Sequence, residues 1–291
     1  MFAPSKEVSF SIGTLLRVRP KVRQVDCNAC WKGTELTHWQ VLERILRNGH
    51  AINPLLQVPW FKCSLCRADW LHVSDQGVAS DFLGNLFKIC EEKLEGASIK
   101  ARVKVLSTKM QNWCRDNNVQ DRMDCLLPAH WTQKKKGFKL RASAAQVRAL
   151  VPFGQALAEE LLSDEVPAER ALKAAAVHLN TVYMTLSESF VFQTDTAIEH
   201  STKFALQYVA LHDFFHPYDD RQFRIKPKLH LFLHLCHDGC RPARYWNYRD
   251  EDWGGSVARF SRRKGGLLSA GAMSTNVLER FAANQPMFRV A

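Results

Sequence analysis

The chain has 291 residues, 46% hydrophobic and 24% charged, which is enough apolar material for a packed core and too much for a disordered polymer. Forty Lys and Arg against 29 Asp and Glu leave a formal charge of +11, a balance that favours polyanionic partners such as nucleic acid. No apolar run approaches the ~20 residues needed to span a bilayer, and the start up to Arg23 lacks the continuous apolar stretch of a secretory signal. Nine cysteines, an odd number spread over a long chain, do not read as a disulfide framework. The expectation is a protein of a reducing intracellular compartment with no membrane partner.

The hydrophobic pattern is mostly helical, without repeats. His38, Trp39, Val41, Leu42, Ile45 and Leu46 recur at helical spacing, and Asn48-Gly49 supply a stop. The mixed segment Val58 to Val73 is the best candidate for a buried strand. Helical faces follow over Val78 to Cys90 and over Ala101 to Trp113. After a basic connector, Gln133 to Arg141, Ser143 caps a helical run that Pro152 should kink or break. Pro167 begins an Ala-rich helix to about Leu186, Thr194 or Asp195 opens another reaching Phe215, and His230 to Cys236 forms a short apolar helix that Gly239 could close.

Two segments carry chemistry. In the first, Asp69 is followed by Leu71, His72, Gly77 and Val78; in the second, Lys228, His230 and His234 precede the strip Tyr245, Trp246 and Tyr248 and the triplet Arg249-Asp250-Glu251. Together, and in this order, they resemble the catalytic core of the CACTA (En/Spm-like) DNA transposase family. There an acid, a Leu or Met, a His and a Gly-Val pair follow the end of a strand, and the last acid follows a Lys-x-His-x-x-x-His helix. The resemblance covers roughly Thr37 to Arg263, with Asp250 standing where the family has an aromatic residue.

The resemblance implies an α+β fold, predominantly α-helical, with a partial RNase H-like core and a large helical insertion. The core would comprise residues 67–97 and 226–291, the insertion 98–225, and a Cys-pair region 1–66. It implies that Asp69 and Glu251 are catalytic acids holding Mg or Mn, because in-line displacement on DNA uses divalent ions that prefer hard oxygen ligands. A first acid is expected upstream of Asp69, where Asp26 is the only aspartate. Its surroundings fit poorly, so the expectation is an N-terminally incomplete core, inactive in cutting, with a nuclear location and DNA as partner. An active nuclease using Asp26 or Asp75 is the competing enzyme reading.

Simpler readings stand beside these. Asp69 alone could cap the helix that follows, although Asp75 looks better placed for that, and Glu251 alone could be one of three solvated acids. Cys27, Cys30, Cys63 and Cys66 form two Cys-x-x-Cys pairs that could close a zinc site, though the stretch between them exceeds the usual ~15–20 residues. His230 and His234 share a helix face and could also take zinc, or be satisfied core histidines. The first patch, Lys134, Lys135, Lys136, Lys139 and Arg141, suits a solvated loop or a nuclear-import signal, and the second, Arg259, Arg262, Arg263 and Lys264, suits phosphate contact. The alternative function is a zinc-stabilised helical interaction module without catalysis; the oligomeric state, a homo-oligomer included, is open.

Overall fold

The computed structural model describes residues 37–49, 54–61, 68–131, 137–187, 192–237, 241–242, 246–248, 251, 254–255, 275 and 279. Two compact units divide the chain, Met1–Trp246 and Asn247–Ala291. In the first, α1 (His38–Arg47), α2 (Ser80–Glu92), α3 (Ile99–Asp116), α4 (Ala144–Leu161), α5 (Pro167–Ser187), α6 (Thr194–Phe215) and α7 (Pro227–His237) follow in order. A nine-residue π-helical stretch, Leu71–Ala79, runs directly into α2. The described residues are predominantly helical and contain no strand.

Local chemistry sets the helix ends. Thr37 Oγ1 accepts the Gln40 N–H while Gln40 Oε1 accepts the Thr37 N–H, which closes a capping box on α1. Ser143 and Gln146 do the same for α4, and Ser98 caps α3. The expected break at Pro152 does not occur: α4 runs on through it. The lost N–H costs one backbone bond, but Val147, Leu150, Val151, Phe153 and Leu157 bury the same helix against its neighbours, which outweighs it.

The strand expected over Val58 to Val73 is likewise absent among the described residues there; Pro54–Gln57 is a 3₁₀ turn and Trp70 already begins the long helix. The reason lies in burial. From Trp70 to Phe87 every residue is buried except His72 and Gln76, so the element is the central rod of the fold. Buried on nearly all sides, residues 70–77 lose the one-sided period that separates helix from strand. The π-helical stretch packs against α4 and α7, α2 packs against α3 and α4, and the α5–α6 hairpin closes on α4 and α7.

The central rod also carries polar residues, and each has a partner. Tyr183 of α5 donates its hydroxyl to Asp75 Oδ1 at 2.6 Å and lies 2.9 Å from Ser74 Oγ. Ser80 Oγ donates to the Gly77 carbonyl. Asn85 donates to the Asp81 and Phe138 carbonyls and accepts the Phe223 N–H at 3.0 Å. That last bond, with a 3.0 Å bond between His212 and the Phe223 carbonyl, holds Phe223 at φ 43°, a left-handed conformation that a bulky residue rarely adopts. Segment 137–141 crosses α2 at Gly84, where a Cβ would lie 2.6 Å from the Lys139 backbone, so only glycine allows the Leu140 N–H to reach the Ser80 carbonyl at 2.7 Å.

Across the α5–α6 hairpin, His178 and His200 meet with Nδ1 atoms 3.1 Å apart, so one ring must be neutral to accept. Burial holds the His178 pKa below its ordinary 6.5, and His200 and Lys203 push it further down against the pull of Glu199. A folded-state pKa below the unfolded one means the unfolded chain binds more protons. The stabilisation is therefore complete above pH 6.5 and is lost as the pH falls below it. The melting temperature is expected to drop between pH 7.5 and 5.5, and His178→Gln to flatten that drop; an equal slope in both proteins would refute this assignment.

Candidate functional site

The Asp69 segment and the Lys228–His234 helix come together inside the first unit. Asp69 precedes Trp70 at the start of the central rod. Its Oδ1 accepts the His72 N–H at 3.1 Å, its Oδ2 lies 2.8 Å from His72 Nδ1, and its carbonyl accepts the Val73 N–H. This is the behaviour of an N-cap with a reciprocal side-chain contact. Asp69, not Asp75, therefore caps the helix: Asp75 lies within the π-helical stretch, fully buried against Tyr183. That burial also removes Asp75 as a third acid open to a metal from solvent.

From the other segment, Lys228 Nζ donates to the His72 carbonyl at 2.5 Å, across 156 positions of sequence. Phe232 of α7 packs its ring 5.7 Å from that of Trp70, which also meets Tyr183 edge-on at 5.5 Å. Gly77 allows the approach, since a Cβ there would lie 2.6 Å from Lys228 Cδ. The Asp-x-Leu-His and Lys-x-His elements thus share one contact surface.

His230 and His234 place their Nε2 atoms 3.0 Å apart, and His230 is buried. Two ligands of a tetrahedral metal would stand roughly 3.4 Å apart at ordinary Zn–N lengths, so the observed spacing suits a shared proton at least as well. Among the described residues no group of three or more His, Cys, Asp or Glu could hold a metal ion. Cys27, Cys30, Cys63 and Cys66 lie outside the described residues, so their pairing carries no structural account. Cys90, Cys114, Cys125 and Cys236 are free thiols, and burial pushes Cys90 and Cys236 up to about 12, which makes both inert at neutral pH.

Glu251 belongs to the second unit, where it is exposed and donates its N–H to the Asn247 carbonyl at 2.8 Å, one helical turn. Asp250 is outside the described residues, as are Lys134, Lys135 and Lys136 of the first basic patch and Arg259, Arg262, Arg263 and Lys264 of the second; Lys139 and Arg141 are described. Trp246, part of the aromatic strip, receives the Arg148 guanidinium 4.5 Å above its ring, a cation–π contact and not an open stacking face.

A further basic cluster joins Lys139, from the first basic patch, to Lys226 and Lys228, a meeting not apparent from spacing. Asp81, in the first turn of α2, is buried and accepts Lys226 Nζ at 2.8 Å on both oxygens. Lys139 and Lys228 stand in its field, with Lys139 Nζ donating to the Gln76 carbonyl at 2.6 Å. Burial raises the Asp81 pKa against the opposing pull of the lysines, and burial together with mutual repulsion lowers those of Lys139 and Lys228. One signal could have revealed it: Lys226 and Lys228 flank Pro227 at the start of α7, where the helix dipole disfavours cations unless acceptors come from elsewhere.

Among the described residues no helix is long and apolar enough to cross a membrane. Comparison with protein-family models, with curated proteins and with solved structures found no match for this chain.

Proposed function

We propose that the chain is a transposase-derived DNA-binding protein of the RNase H-like class, which retains two of the three metal-binding acids, Asp69 and Glu251, and binds duplex DNA without cutting it. The observation that carries this reading is the contact between the two resembling segments, Lys228 Nζ on the His72 carbonyl beside the Asp69 carboxylate. Each motif alone is weak; their meeting across 156 positions is what a shared core requires and chance spacing does not. The net charge of +11 supports a polyanionic partner.

The donor set fits a hard divalent ion in part. Asp69 offers carboxylate oxygens, and Oδ2 could exchange His72 Nδ1 for Mg²⁺ or Mn²⁺ while Oδ1 keeps its backbone bond. When bound, such an ion would stabilise charge on a phosphate oxygen. Within this chain, Asp69 would hold it and His72 would orient the Asp69 carboxyl, with Glu251 the second acid that the resemblance implies. A zinc ion would fit only two of its four positions, His230 and His234, with Cys63 and Cys66 as the remaining candidates.

One observation favours the second reading, a zinc-stabilised helical interaction module: Asp69 already has a complete structural role as a helix cap. The deciding experiment is duplex binding by fluorescence anisotropy over a range of salt, with bound zinc measured on the same preparation. Salt-sensitive affinity supports the transposase-derived reading. One zinc per chain and no duplex affinity would overturn it in favour of the module.

A further inference from the structure

We infer that Lys139, Lys226 and Lys228 form a docking site for phosphodiester oxygens of DNA, on the flank of the central rod next to Asp69. The inference rests on the DNA-binding reading and gives it a place on the molecule. Of the three, only Lys139 belongs to a basic patch recognised from sequence; its meeting with Lys226 and Lys228 is a feature of the fold.

Three observations carry it. The ammonium groups come from segments far apart in sequence, the crossing strap at Lys139 and the start of α7, and converge on one helix flank through the carbonyls of Gln76 and His72 and the carboxylate of Asp81. Their charge is not balanced: three cations surround Asp81, and Asp69 is the one further anion acting on Lys228. Their donors are not exhausted either. Three ammonium groups carry nine N–H donors, and the four bonds to Gln76, His72 and the two Asp81 oxygens leave five for a ligand.

The setting strengthens an incoming anion. All three lysines are half-buried, so they act through a lower dielectric than freely solvated side chains and have less freedom to lose on binding. A phosphate oxygen there relieves the repulsion among the lysines and completes the charge balance that Asp81 begins. The flank continues to Asp69 through His72, whose carbonyl holds Lys228 and whose ring meets the Asp69 carboxylate. A strand of DNA docked on the lysines would therefore pass beside the acid. Lysine rather than arginine suits a sequence-independent contact, a point charge without the bidentate fork that reads base edges.

The test is lysine acetylation footprinting of the full chain, read by mass spectrometry, with and without a saturating random-sequence DNA duplex at low salt. Lys139, Lys226 and Lys228 are expected to lose reactivity several-fold on binding. Lys109, Lys173 and Lys203, which pair with Glu160, Asp164 and Glu199, serve as references and should change little. In parallel, Lys139→Gln with Lys228→Gln should lower the slope of log affinity against log salt by about 2, one per lost phosphate contact. Lys226 is left in place because its removal would strand a buried carboxylate. Unchanged reactivity at the three lysines in a chain that does bind the duplex overturns this site and leaves the DNA reading intact. No duplex binding at low salt overturns both. The footprint on the unaltered chain decides the matter even where the double variant fails to fold.

Discussion

Trp70→Ala is expected to destabilise the chain by about 3–5 kcal/mol, the range for truncating a large aromatic residue in a core that cannot collapse around the gap. Trp70 has no exposed surface and holds Tyr183 of α5 and Phe232 of α7 on its two sides. It therefore joins the start of the central rod to two helices far along the chain. Its indole Nε1 has no acceptor among the described residues, so Trp70→Phe keeps much of the packing, removes an unsatisfied donor and should cost much less. Trp39, on the exposed side of α1, provides the comparison: Trp39→Ala should stay within about 0.5 kcal/mol. Urea unfolding followed by circular dichroism measures all three. A loss below about 1 kcal/mol for Trp70→Ala would contradict the placement of residues 70–90 at the centre of the fold.

Duplex affinity should fall about a thousandfold between roughly 50 and 200 mM salt, the loss that accompanies about six phosphate contacts. The argument is one of counterion release. Each lysine or arginine that neutralises a phosphate frees a condensed cation, and the gain shrinks as bulk salt rises. Charged residues number 40 basic against 29 acidic, and much of the acidic complement is already engaged in ion pairs such as Glu91 with Arg102, and Asp219 with Arg221. The basic excess is therefore available to a partner. The response should be the same for duplexes of unrelated sequence, since contacts to the backbone carry no base information. A flat salt response would contradict the DNA reading.

The helices were legible in the sequence where one face alone is buried and a cap residue stands at the end. Ser143, Pro167 and Thr194 marked starts that lie within a residue of those observed. The helical period over Val78 to Cys90 marked the second half of the central rod, α2. Legibility failed on the first half, Trp70 to Gly77, where burial on nearly every side removes the period, and Ser74, Asp75, Asp81 and Asn85 look like surface residues until their partners are known. Those partners, Tyr183, Lys226 and the Phe223 backbone, lie more than a hundred positions away, beyond any local pattern. Separation in sequence likewise hid the meeting of Lys139, a member of the first basic patch, with Lys226 and Lys228. What spacing did offer was Asp69 with His72, which form a local pair, and Lys228, whose long-range contact with His72 no spacing rule specifies. Asp69 shows why a single residue can mislead: a carboxylate before a helix is an efficient cap whether or not it also holds an ion.

Manganese binding followed by the electron paramagnetic resonance of free Mn²⁺ tests most directly the claim that Asp69 holds a divalent ion. If it does, Asp69→Asn should abolish the binding seen with the unaltered chain, while Asp219→Asn, at a carboxylate paired with Arg221, should leave it in place. Full binding retained by Asp69→Asn would contradict an ion at Asp69 and leave the helical module as the better account.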